Sequence, residues 1–209
     1  MSRTSFLAIG HASRDEFPDG RWRLGGSALY GAATAAKLGA DVTLVTRVGP
    51  AERGALETLC GELGITLRVL AAQGMLRSFA KDGTVVATPW AGYAKLLPKV
   101  DAVVVSEEDH AEDSAWLPFT TVVVTQAERG SDLHVRGSTT HVHAFAVPEV
   151  VDQTGAGDAF AASLALGLAE GLDVIEAAMF ASAAASFAVE GLGMSRLADR
   201  TRVRARMRG

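Results

Sequence analysis

Short runs of β-branched and apolar residues alternate along the chain with longer stretches whose apolar positions recur at helical spacing, the pattern of an α/β layer architecture with a mostly parallel sheet. Ser5 to Ile9 reads as a first strand, and Gly25-Gly26 leads into a helix that runs to about Leu38 and closes at Gly39. Between them lies a polar and aromatic interlude, Arg14 to Leu24. Asp41 to Thr46 predicts a second strand, Ala51 to Leu63 a second helix, and Thr66 to Leu70 another strand. The alternation then breaks. Leu76 to Ala80 and Thr84 to Thr88 flank Lys81-Asp82-Gly83, whose Asp-Gly supplies the positive-φ turn of a hairpin. A hairpin at this point predicts strands that leave the main sheet as a lid. Ala102 to Val105 and Thr120 to Thr125 predict buried core strands, and Leu133 to Arg136 with Thr140 to Phe145 an antiparallel pair around Gly137. Two alanine-rich helices follow, Gly157 to Glu170 and Val174 to Glu190, suited to close packing.

Composition narrows the class. With 209 residues, 48% hydrophobic and 21% charged, the chain has material for one substantial core and reads as a single main domain. A formal net charge of -4 argues against a nucleic-acid partner held by broad charge neutralisation. The Arg-rich stretch from Arg200 to Arg208 places arginine at alternate positions, which reads as the solvated face of an extended or frayed tail. Cys60 is the one cysteine, so no internal disulfide forms; it falls at helical spacing with Leu56, Leu59 and Leu63, as a packing residue. No run of about eighteen apolar residues occurs and the chain does not start on a charged-then-apolar segment. The expectation is a soluble, cytoplasmic protein with no membrane partner.

The candidate chemistry concentrates in Asp152-Gln153-Thr154-Gly155-Ala156-Gly157-Asp158, immediately before an Ala/Leu-rich helical stretch. Gly155 and Gly157 let the backbone curl and approach a ligand, and the first-turn amides of the helix can face an anion. Asp158 stands in the same turn. The helix dipole favours its charged form, which predicts a weak base that orients an attacking hydroxyl. Spacing alone also allows a plain helix entry, with Thr154 as cap and Asp158 as a dipole-complementing acid. Other candidates are thinner. His141 and His143 share a strand face and could form half of a metal site, without a convincing third ligand. Trp22 and Trp90 flank the lid segments, and His11 lies near the first strand's end. No Gly-x-x-x-x-Gly-Lys-Ser/Thr loop is present, so a P-loop kinase is not supported.

Taken together the motifs resemble the ribokinase-like, or PfkB, carbohydrate kinase family. Residues 152–158 are similar to its C-terminal Asp-x-Thr-Gly-Ala-Gly-Asp run. Gly25-Gly26 with the helix and strand after it is similar to its N-terminal glycine pair. Gly10 to Asp15 resembles its first-strand motif, and Val124 to Gly130 the strand end that borders the nucleotide phosphates. The resemblance implies a ribokinase-like three-layer α/β sandwich over 1–209, with a mostly parallel central sheet and a small β lid from segments near 14–24 and 67–90. It implies Asp158 as catalytic base, with the amides of Gly155, Ala156 and Gly157 as anion hole. Substrate would meet Asp15, Gly25, Gly26 and Tyr30; nucleotide would meet Thr125, Ala127, Gly130 and Ser182; Mg²⁺ would sit on Asp109 and Glu108. ATP and Mg²⁺ are the implied cofactors, with room for a monovalent cation, and the partners are a small-molecule polyol and a second copy paired through lid strands.

The departures from that pattern are specific. Ser106-Glu107-Glu108-Asp109 stands where the family carries Asn-x-x-Glu, so Glu107 or Glu108 could stand in for the acid. Ser27 and Tyr30 replace a Lys and an Asn of ribokinase itself, which counts against ribose. Ala127 replaces a usual Gly, and the chain is shorter than the family pattern between the lid hairpin and Val103-Val104-Val105. The leading expectation is an ATP-dependent kinase that phosphorylates a hydroxyl of a small sugar or cyclitol. The alternatives are a nucleoside kinase and, from another class, a catalytically weak nucleotide- or sugar-binding protein on the same scaffold.

Overall fold

The computed structural model describes residues 4–47, 52, 55, 69–71, 77–79, 84–87, 93–108 and 116–209. The expected helix Ala51 to Leu63 falls almost wholly outside these residues, as do Cys60, the 81–83 turn, Trp90 and Asp109. The chain gathers into two compact units, residues 1–67 with 145–209, and residues 68–144.

The first unit begins with β1 (Ser5–His11), whose alternation turns Phe6 and Ala8 inward. The polar and aromatic interlude, which the family resemblance assigns to a β lid, is an antiparallel hairpin of β2 (Ser13–Glu16) and β3 (Trp22–Gly25), with Ser13 opposite Gly25 and Asp15 opposite Arg23. Gly20, at φ 80, completes its turn. Helix α1 (Ser27–Lys37) buries Leu29, Tyr30 and Ala35. It ends as its sequence predicts: Gly39 adopts φ 88, its N–H donates to the Ala36 carbonyl at 3.0 Å, and the Ala40 N–H donates to Ala35 at 3.1 Å. β4 (Asp41–Arg47) then pairs in parallel with β1, from Ser5 opposite Asp41 to His11 opposite Arg47.

The second unit carries a five-stranded sheet in the order β11-β10-β9-β8-β5. β5 (Val69–Ala71), β8 (Ala102–Ser106) and β9 (Thr121–Thr125) run parallel. The Val-rich runs of β8 and β9 are buried on both faces, as parallel strands require. β6 (Arg77–Phe79) and β7 (Val85–Ala87) form the expected separate hairpin. A short helix, α2 (Tyr93–Leu96), precedes β8, and Leu97, Val103, Val105, Trp116, Val122 and Val124 make the core. β10 (Ser131–Val135) and β11 (Ser138–Val142) close the sheet through a two-residue turn at Arg136 (φ 48) and Gly137 (φ 84).

The chain then returns to the first unit with α3 (Ala156–Ala169) and α4 (Val174–Ala188). Small residues let them pack closely: a Cβ on Gly167 would stand 3.0 Å from that of Ala177, and one on Gly31 of α1 would stand 3.8 Å from that of Ala162. The Arg-rich stretch is not an extended tail but α5 (Arg200–Arg206), capped by Asp199, which accepts from the Arg202 N–H at 2.9 Å. Arg200 and Arg206 are committed to the protein. Arg200 forks onto Glu170 at 2.6 and 2.7 Å, and Arg206 lies 3.5 Å over the Phe187 ring while pairing with Glu190 at 2.7 Å. Among the described residues no helix is long and apolar enough to cross a membrane.

Candidate active site

The 152–158 segment folds as a loop whose Asp152 accepts the Thr154 N–H at 2.9 Å. Gly155, not Thr154, occupies the N-cap of α3, at φ 80 and with no side-chain cap. Its carbonyl accepts the Ala159 N–H at 2.9 Å and starts the helix. Gly155 is glycine for two protein-internal reasons: the left-handed backbone, and a missing Cβ that would overlap the Tyr30 ring. Gly157 is different. A Cβ there meets nothing within 4 Å among the described residues. The Ala156 N–H donates to the Gln153 carbonyl at 3.2 Å, whereas those of Gly155 and Gly157 reach no backbone carbonyl among the described residues.

Asp158 lies half-buried in the first turn of α3. Burial pushes its carboxyl above the ordinary range, against a lowering hydrogen bond from Ser27. The expectation that the helix dipole would keep it a weak base is therefore corrected: desolvation dominates, and a raised carboxyl pKa is what general-base work near neutrality calls for. The Ser27 contact also joins the first residue of α1 to the first turn of α3. Gly26, at φ 97, caps α1 beside them.

A second cluster borders this loop. The Arg23 Nη1–H donates to Asp152 Oδ2 at 2.8 Å, and the Gly193 N–H donates to the same oxygen at 3.1 Å. Burial alone would raise the Asp152 carboxyl, but the donors from Thr154, Gly193 and Arg23 outweigh it and hold the group far below the usual carboxylate range. On the other side, Arg23 Nε stands 3.6 Å from Asp15 Oδ2, while Asp15 Oδ1 accepts the Ser13 hydroxyl at 2.9 Å. A Cβ on Gly25 would overlap the Asp15 carboxylate, so this glycine makes room for a protein side chain. Tyr30 is 1% exposed, and its hydroxyl has no hydrogen-bond partner among the described residues. Burial raises its pKa.

In the second unit the 125–130 turn closes on itself. The Gln126 N–H donates to Gly130 at 2.8 Å, and the Gly130 N–H to Ala127 at 3.1 Å. Thr125 ends β9, with its hydroxyl 3.4 Å from the Val105 carbonyl. Ala127 adopts φ 51, a left-handed conformation that glycine would take without strain. Gly130, at φ 107, has no space for a Cβ, which would overlap the Val142 carbonyl. Arg129 pairs with Glu107, leaving Glu108 exposed at the end of β8. His141 is bound within the unit, Nδ1 to Asp132 at 2.6 Å and Nε2 to the Arg129 carbonyl at 2.9 Å, with the His143 ring 4.7 Å away. Among the described residues no group of three or more His, Cys, Asp or Glu could hold a metal ion.

The sequence pattern of the pfkB family of carbohydrate kinases matches residues 69–200, well over half of the chain. The chain belongs to this family. Inositol 3-kinase of Zea mays is 36% identical over 131 residues, which covers 59% of this chain and 33% of the maize protein. The chain thus spans about a third of the length of that curated relative. Among solved structures, a pyrophosphate-dependent myo-inositol-1 kinase converted into a myo-inositol-3 kinase superposes with a TM-score of 0.77 at 17% identity, over 96% of this chain and 98% of that one. Arabidopsis thaliana ribokinase complexed with ribose and ATP superposes with a TM-score of 0.75 at 19% identity, over the full length of both. The fold of this pfkB-family chain is therefore ribokinase-like.

Within the first unit, the structure brings together Asp15, Gly25, Gly26, Tyr30 and the 155–158 run. Ser182 lies elsewhere in that unit, buried in α4. Arg23 and Gly193 were not read from sequence as members of this group; Asp152 was read as part of the 152–158 motif and Ser27 as a departure from ribokinase, neither with a role of its own. One signal was available for Arg23: strand alternation puts it on the same face as Gly25.

Proposed function

We propose that this chain transfers a phosphoryl group to a hydroxyl of a small sugar or cyclitol, and the relatedness to inositol 3-kinase supports a cyclitol. The observation that carries the reading is the mouth of α3. A half-buried carboxyl with a raised pKa stands there one residue from a glycine whose open side faces no atom of the described residues.

In this reading Asp158 takes the proton of the acceptor hydroxyl as that oxygen attacks the γ-phosphorus of ATP, whose bridging P–O bond breaks and releases ADP. The Gly155 and Gly157 amides hold the charge on the equatorial oxygens, and the Ala156 amide joins them once it leaves Gln153. Asp15, with several acceptor lone pairs in one plane, holds neighbouring polyol hydroxyls, while Gly25, Gly26 and Tyr30 shape the floor. ATP is the donor, and Thr125, Ala127 and Gly130 of the second unit are its candidate neighbours. Mg²⁺ would be held by Glu108 and Asp109, oxygen donors of the kind this ion prefers, and would neutralise phosphate charge.

The test is a product assay over a panel of sugars and cyclitols with ATP or pyrophosphate as donor, comparing the wild type with Asp158→Asn. Phosphorylated product that depends on Asp158 supports the reading. Ligand binding without such product moves the chain to the catalytically weak binder.

A further inference from the structure

The Asp15–Arg23–Asp152 chain of contacts is unexplained by the chemistry above. Arg23 and Asp152 side chains are 22% and 14% exposed, so the ion pair is mostly desolvated, and a group left unpaired there would be costly. The guanidinium is held from several sides. Its Nη1 is fixed on Asp152, its carbon lies 5.3 Å from the Phe17 ring centre, and a Cβ on Gly193 would stand 3.3 Å from Nη1. Its Nε is buried without a hydrogen-bond partner among the described residues, just beyond bonding distance of Asp15. Nε is sealed from solvent, so this edge of the guanidinium faces Asp15 and not a ligand. Asp152, in turn, has both oxygens committed: Oδ1 to the Thr154 N–H of the anion-hole segment, Oδ2 to Gly193 and Arg23.

Resting on the proposed kinase reading, we propose that Arg23 is a positioning residue that ties the carboxylate gripping the polyol to the anion-hole loop, so that seating of substrate aligns the loop. A fork of rigidly spaced donors can serve two carboxylates at once, whereas the ammonium of a lysine is a point charge that serves one. When hydroxyls fix Asp15, the 3.6 Å gap to Nε closes, and the loop carrying Gly155 and Gly157 is drawn into register through Asp152. A purely structural ion pair would stabilise the fold without separating substrate seating from turnover.

The experiment compares wild type, Arg23→Lys, Arg23→Ala and Asp158→Asn on the same polyol, with rates normalised to the folded fraction measured by circular dichroism. Arg23→Ala is expected to raise the polyol KM and lower kcat, each by about tenfold or more, with the donor KM unchanged. Arg23→Lys is expected to recover kcat through Asp152 but not the polyol KM, and added guanidinium ion to restore part of both in Arg23→Ala. If both Arg23 variants retain wild-type kcat and polyol KM per folded molecule, or if kcat and KM respond identically to lysine and alanine, the inference is overturned while the kinase reading stands. If the wild type forms no Asp158-dependent product from any polyol, both fall together.

Discussion

Two glycine-containing loops, 152–158 and 125–130, match motifs of the same family yet differ in what surrounds them. In the second, Gly130 is forced by the Val142 carbonyl and the turn's own hydrogen bonds are closed. In the first, Gly155 is forced by Tyr30, but Gly157 is forced by nothing among the described residues. A glycine in a motif therefore reports that something approaches the backbone closely, not whether that something is a ligand. Gly25, whose neighbour is Asp15, makes the same point.

The largest expected effect that sharpens this contrast is at Asp158. Asp158→Asn should lower turnover by about 10²–10⁴-fold, the usual share of a general base. It should also raise stability at neutral pH. The folded carboxyl pKa lies above its unfolded value, so the stability it contributes is fully present below the unfolded value and is lost as pH rises through the folded one; a neutral amide escapes that loss. Thermal melts at pH 7 check the sign.

Gly155→Ala should destabilise by roughly 3 kcal/mol, from a strained φ and an overlap with a buried ring, seen as a lower denaturation midpoint. Asp152→Asn tests the cluster by acid unfolding. The Asp152 pKa is depressed, so its stabilisation is present above the unfolded value near 3.8 and is lost as pH falls towards the folded one. The variant should start less stable and show a flatter acid limb. Ala127→Gly should gain about 0.5–1 kcal/mol, because relief of the left-handed backbone outweighs the added chain entropy. The smallest effect is Ser27→Ala: losing the bond that lowers the Asp158 pKa should move the acid limb of the kcat profile to higher pH.

Much of the fold was legible because strong signals coincide with final structure. The Val-rich runs of β8 and β9, the Gly39 helix stop and the Arg136-Gly137 turn all formed where their chemistry indicates. Pairing partners were less visible. The pattern of Arg14 to Leu24 carries too many charges to read as strands, and only the family resemblance placed it in a β lid; register with its own return strand fixes it, and α5 forms because its arginines find Glu170, Phe187 and Glu190. In the site, the motif pointed to Asp158, but its raised pKa depends on burial and on Ser27, which lies far away in sequence. Arg23 escaped notice because its meaning lies in Asp152, again a distant residue.

The most direct test of the account is transfer of a labelled phosphoryl group to the polyol by Gly157→Ala, run beside a melting curve. A methyl there has free space and a helical backbone, so the variant should be as stable as the wild type or up to about 1 kcal/mol more so, and turn over about tenfold to a hundredfold more slowly, because the methyl occupies the place of the migrating group. A well-folded Gly157→Ala protein with wild-type turnover would contradict the account.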